Sequence, residues 1–77
     1  MLIEIFGSGC AKCETLAKHA KHAAEQFGGD HAVVKVTDYA AMAARGIMST
    51  PALAVDGQLK VQGKVASSAE ILEALKG

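Results

Sequence analysis

The sequence contains no tryptophan, a single proline, two cysteines and three aromatic residues, Phe6, Phe27 and Tyr39. Eight basic residues balance eight acidic ones, so the formal net charge is zero. With no basic excess and few aromatics there is no electrostatic footprint for nucleic acid. No apolar run approaches the ~20 residues of a membrane-spanning helix. The opening residues, Met1-Leu2-Ile3-Glu4-Ile5-Phe6, carry an early acid and run directly into Gly7. They lack the pattern of a secretory signal, and the expected location is the cytoplasm.

What is present is a chain of 77 residues, 51% of them hydrophobic. That is one domain, 1–77, with a modest core: at this size folding buries only about 60% of the surface the unfolded chain exposes. Much of the apolar content is alanine, so the core is assembled from small pieces.

Strands and helices alternate. Leu2 to Phe6 reads as a buried strand stopped by Gly7-Ser8-Gly9. Ala11 to about Phe27 reads as a helix. At 100° per residue, Cys13, Leu16, Ala17, Ala20, Ala23, Ala24 and Phe27 fall in an arc roughly 120° wide. Glu14, Thr15, Lys18, Lys21, His22 and Glu25 fall outside it. Ala32 to Thr37 is a second strand. Asp38 caps a short helix through Arg45, with Gly46 as its stop. Ala52 to Val55 and Gln58 to Gln62 are strands joined by the hairpin signal Asp56-Gly57. Ser67-Ser68-Ala69-Glu70 matches a capping box, and Ile71, Leu72 and Leu75 form the apolar face of a last helix. The order is β-α-β-α-β-β-α. Its early βαβ unit implies two parallel strands with a right-handed crossover, and the later hairpin adds an antiparallel pair.

The cysteines stand together as Cys10-Ala11-Lys12-Cys13, where the first strand meets the first helix. As a structural staple this pair would do little: closing four residues stabilises by roughly 2 kcal/mol, against about 4.7 for a 100-residue loop. As a reactive pair its position has a direct cause. Unpaired N–H groups and the helix dipole at a helix start favour an anion, and the thiolate is the reactive form of cysteine. Lys12 adds positive charge beside Cys10, and Glu14 opposes it in part. Cys13, one turn in, lies on the apolar arc. The pair therefore divides into an attacking thiol, Cys10, and a resolving thiol, Cys13.

Metal binding is the rival reading, because one C-x-x-C supplies two soft ligands, enough for Cu(I) and half of a structural zinc site. His22 lies about 180° from Cys13 around the helix, and His19 about 9 Å along it, so neither completes a zinc site with the cysteines. Both histidines read as solvated among lysines.

Two segments together resemble the thioredoxin superfamily: Gly7-Ser8-Gly9-Cys10-Ala11-Lys12-Cys13, and Gly46-Ile47-Met48-Ser49-Thr50-Pro51-Ala52-Leu53-Ala54-Val55-Asp56-Gly57. The length is similar to the small glutaredoxin-like thioredoxins of archaea and bacteria. The resemblance covers essentially the whole chain. It implies a thioredoxin-like α/β fold, with a four-stranded mixed sheet flanked by three helices. It also implies a monomeric cytoplasmic oxidoreductase that serves cell redox homeostasis by electron transfer without a bound cofactor. In that pattern Cys10 is the nucleophile, Cys13 resolves, and Pro51 follows a cis peptide bond. Thr50 offers its backbone to a substrate segment. An apolar rim of Ile47 and Met48, extended by Val65 and Ala66, is expected around Cys10, either as a docking surface or as ordinary core edge.

Departures from the pattern bear on its chemistry. Gly9 replaces the usual tryptophan, and the motif interior is Ala-Lys. On the preceding strand the one acid is Glu4. Gly63-Lys64-Val65-Ala66-Ser67 lacks the second glycine and the aspartate of the glutaredoxin Gly-Gly-x-x-Asp pattern. A flavoprotein of the thioredoxin-reductase type is therefore the expected electron donor, and disulfide-containing proteins the expected substrates. The alternatives are a Cu(I)-type metal-handling module and a redox sensor of low turnover. Heavy-metal-associated domains usually carry methionine where this chain has Ser8, and their order ends in a strand.

Overall fold

The computed structural model describes residues 1–7 and 11–76. Among them the order is β1 (Leu2–Phe6), α1 (Ala11–Phe27), β2 (Ala32–Val36), α2 (Tyr39–Ala44), β3 (Ala52–Val55), β4 (Gln58–Gln62) and α3 (Ser68–Lys76). The strands form one mixed sheet in the order β2-β1-β3-β4. β1 runs parallel to β2, from Leu2 opposite Ala32 to Phe6 opposite Val36. β3 lies antiparallel to both β1 and β4.

The period-2 alternation of β1 sends its side chains to two cores. Ile3 and Ile5 pack on one face with Leu16, Ala20, Ala23 and Ala24 of α1 and with Ile71 and Leu75 of α3. Phe6 packs on the other face with Met42 of α2, Ala52 and Ala54. Ala20, Ala23 and Ala24 of α1 are almost wholly inaccessible, so small side chains let α1 and α3 share one face of the sheet.

Helix ends follow the sequence signals. The Asp38 carboxylate accepts from the Ala40 N–H at 2.9 Å and caps α2. Ser67 and Glu70 form a reciprocal capping box, each backbone N–H donating to the other's side chain at 3.2 Å. Asp56 and Gly57 both adopt positive φ, 49° and 87°, as a type I′ hairpin turn requires. The hairpin carries a register shift: Leu53 faces Val61 but Ala54 faces Leu59, leaving Lys60 as the extra residue.

Two boundaries differ from expectation. β2 ends at Val36 rather than Thr37, because the chain must turn to place Asp38 at its cap. Phe27 is 42% exposed although it continues the apolar arc. It is the last residue of α1, and the buried arc ends at Ala24.

Candidate active site

The first turn of α1, the end of β1 and the segment before β3 converge on Gly7. Cys13 is 6% exposed, on the buried arc of α1. A β-carbon built on Gly7 would collide with the Cys13 Sγ and would stand 3.8 Å from the Thr50 Cβ. Gly7 has φ +154°, and its N–H donates to the Val36 carbonyl at 3.1 Å. The absent side chain of Gly7 is thus the space that the Cys13 sulfur uses, with Thr50 alongside. Cys10 lies outside the described residues, as do Ser8 and Gly9.

Thr50 is exposed and Pro51 buried, and the peptide bond between them is cis. The segment that leads to them is held from β4. The Gln62 Oε1 accepts from the Met48 N–H at 2.7 Å, and the Gly63 N–H donates to the Pro51 carbonyl at 2.9 Å. Gly63, at φ +78°, lies so close to Ser49 that a β-carbon there would stand 3.1 Å from the Ser49 Cβ.

The four expected rim residues do not share one environment. Met48 is 91% exposed, whereas Ile47 packs against the Phe6 and Met42 cluster. Val65 packs against the other core, and Ala66 belongs to that core. The Ala66 carbonyl accepts from His19 Nδ1 at 2.9 Å. His19 is accordingly half-buried and carries its proton on Nδ1 when neutral. This corrects the expectation of a solvated side chain; His22 is exposed.

The charges near the start of α1 are arranged by a residue that sequence reading missed. Lys12 is exposed. The Lys35 Nζ donates to both carboxylate oxygens of Glu14, at 2.7 and 2.8 Å. The hydrogen bond from Lys35, reinforced by its charge, holds the Glu14 carboxyl below the usual glutamate range. Glu14 therefore opposes Lys12 less than its formal charge implies. The available signal was the alternation of β2. Lys35 faces Ile5 across the β1–β2 ladder and so shares the α1 face.

Because its folded pKa is depressed, the Glu14–Lys35 pair stabilises the fold above the unfolded glutamate pKa. That contribution is lost as pH falls through the folded value. Lys35→Ala is expected to return the Glu14 titration to the ordinary glutamate range, read by NMR; an unchanged midpoint would refute the pairing.

Glu4 lies on the opposite face of the sheet from α1. Its Oε2 accepts from Arg45 Nη1 at 3.0 Å, and the Arg45 guanidinium stands 5.2 Å from the Phe6 ring centroid. The hydrogen bond to Glu4 raises the Arg45 pKa. The acid of β1 is thus engaged with the C-cap residue of α2.

Among the described residues no group of three or more histidine, cysteine or acidic side chains is gathered for a metal ion. None of their helices is long and apolar enough to cross a membrane. The order ends in helix α3, unlike the heavy-metal-associated order.

A family model described as "Thioredoxin domain" matches residues 1–76. The chain belongs to the thioredoxin family. It is 41% identical over 75 residues to a protein named thioredoxin from Methanothermobacter thermautotrophicus, a match that covers 97% of each chain. It is also 41% identical over 76 residues to a thioredoxin from Methanocaldococcus jannaschii, covering 99% of this chain and 87% of that one. Thioredoxin-family membership carries a general oxidoreductase role and accounts for the mixed sheet with three helices.

Proposed function

We propose that this chain reduces disulfide bonds in proteins by dithiol exchange at Cys10 and Cys13, acting as a single domain in the cytoplasm. The Cys10 thiolate attacks one sulfur of the substrate disulfide, whose S–S bond breaks and releases a thiolate. The resulting mixed disulfide is attacked by Cys13, which gives up its proton. The second substrate sulfur leaves, and a Cys10–Cys13 disulfide forms. Two electrons have passed to the substrate, which takes up two protons. A flavoprotein of the thioredoxin-reductase type, acting on the Cys10–Cys13 disulfide, restores the dithiol.

The observation that supports this best is the burial of Cys13 against Gly7, one turn into α1 and beside Thr50. A thiol so placed suits the second, intramolecular step rather than the first encounter with a protein. The start of α1 and Lys12 favour the thiolate at Cys10. Thr50 and Pro51 receive an extended substrate segment, Met48 gives it apolar contact, and Ile47 supports that rim from within.

Turnover tests the proposal. A protein disulfide mixed with excess dithiol should be reduced faster when the protein is added, and Cys10→Ser should return the rate to that of dithiol alone. No acceleration by the unaltered protein would contradict it.

A further inference from the structure

The segment between α2 and β3 is held by contacts of different kinds. Ile47 is anchored in the Phe6 and Met42 cluster, and its N–H donates to the Met42 carbonyl at 3.0 Å. Pro51 is buried, and its carbonyl accepts from Gly63. Between these fixed ends Met48, Ser49 and Thr50 are exposed and belong to neither α2 nor β3. In that stretch the Met48 N–H donates to a side chain fourteen residues away, the Gln62 Oε1 at 2.7 Å. Gln62 is the last residue of β4, and its backbone is set opposite Ala52 by the β3–β4 ladder. A side chain rooted in the sheet thus reaches a loop amide.

We infer that Gln62 is a positioning residue, whose side-chain carbonyl fixes Met48 to Thr50 in the conformation that receives a protein substrate. This rests on the disulfide-reductase reading above. The hydrogen bond turns the Met48 amide inward towards β4. The Met48 side chain is then free to project to solvent at 91% exposure. Without the acceptor the three residues sample other conformations, and a substrate must select the competent one. Apparent affinity then falls by the fraction that is competent. The bond-forming groups, Cys10 and Cys13, are untouched, so the loss falls on KM rather than on kcat.

The test pairs Gln62→Leu, which keeps the approximate shape and removes the acceptor, with Gln62→Glu, which retains an oxygen at that position. A side-chain hydrogen bond of ordinary net strength corresponds to about a fivefold change in an equilibrium constant. Gln62→Leu should raise KM for a protein disulfide such as insulin, by up to about fivefold, with kcat retained, and Gln62→Glu should restore KM. Hydrogen exchange at the Met48 amide should accelerate in the leucine variant and not in the glutamate variant. Unchanged exchange would overturn the inference, because the bond would not be holding the segment. Faster exchange with an unchanged KM would overturn it too, and would leave the reductase reading standing. An unaltered protein without turnover would overturn that reading and this inference with it.

Discussion

Gly7→Ala is expected to disable the exchange site while leaving most of the fold in place. The added methyl would collide with the Cys13 Sγ and meet the Thr50 side chain only at ordinary contact distance. At φ +154° the backbone is also one that a side chain rarely adopts. Overpacking of this kind costs about 1–3 kcal/mol when the surroundings can shift. The nearest group able to shift is the Cys13 thiol itself, the resolving thiol of the proposed mechanism. Displacing a reacting atom by ~1 Å can cost about 10²-fold in rate, so turnover should fall by that order. Gly29→Ala is the matched control. Gly29 also has positive φ, 78°, but a β-carbon there meets nothing within 4 Å. That variant should lose about 1–2 kcal/mol of stability from backbone strain and keep its turnover. Thermal unfolding and the disulfide-reduction assay together separate the two cases. Unimpaired turnover in Gly7→Ala would show that the Gly7–Cys13 contact does not matter to the chemistry.

Cys13→Ser has the larger effect on mechanism. In the proposed mechanism Cys10 can still attack, but no neighbouring thiol displaces the bound substrate. Catalysis should stop after one equivalent, with the protein held as a mixed disulfide until external dithiol releases it. The time course in limiting dithiol should show a single burst of substrate thiol equal to the protein added, then a rate no greater than that of dithiol alone. Sustained turnover would mean that a second protein thiol is not needed.

Much of the architecture was legible because it is local. The 3.6-residue arc of α1, the capping box at Ser67 and Glu70, the Asp38 cap and the Asp56-Gly57 turn each sit within a few residues of what they specify. Of the described part of the site, the burial of Cys13 and the cis bond before Pro51 match expectation, whereas its supports were illegible. Gly7 read as a strand stop, yet what requires glycine there is a sulfur one helical turn into α1. Lys35 and Glu14 are 21 residues apart, Gln62 and Met48 are 14, and His19 and Ala66 are 47. Each pair meets only after the sheet and helices have packed, and no periodicity in the chain announces such meetings. Alternation in β2 could have placed Lys35 on the α1 face. Nothing comparable marks Gln62, an exposed polar residue at a strand end. The rim stayed ambiguous for a related reason. An apolar residue reads the same in sequence whether it faces solvent, as Met48 does, or the core, as Ala66 does.

The division of labour between the two cysteines is tested most directly by the intact mass of the trapped species. Cys13→Ser, mixed with a protein disulfide and quenched with acid, should gain the mass of one substrate chain through a reducible bond. Peptide mapping should place that bond at Cys10. Cys10→Ser under the same conditions should gain nothing, since its remaining thiol is buried. An adduct on Cys13, or none in either variant, would contradict the account.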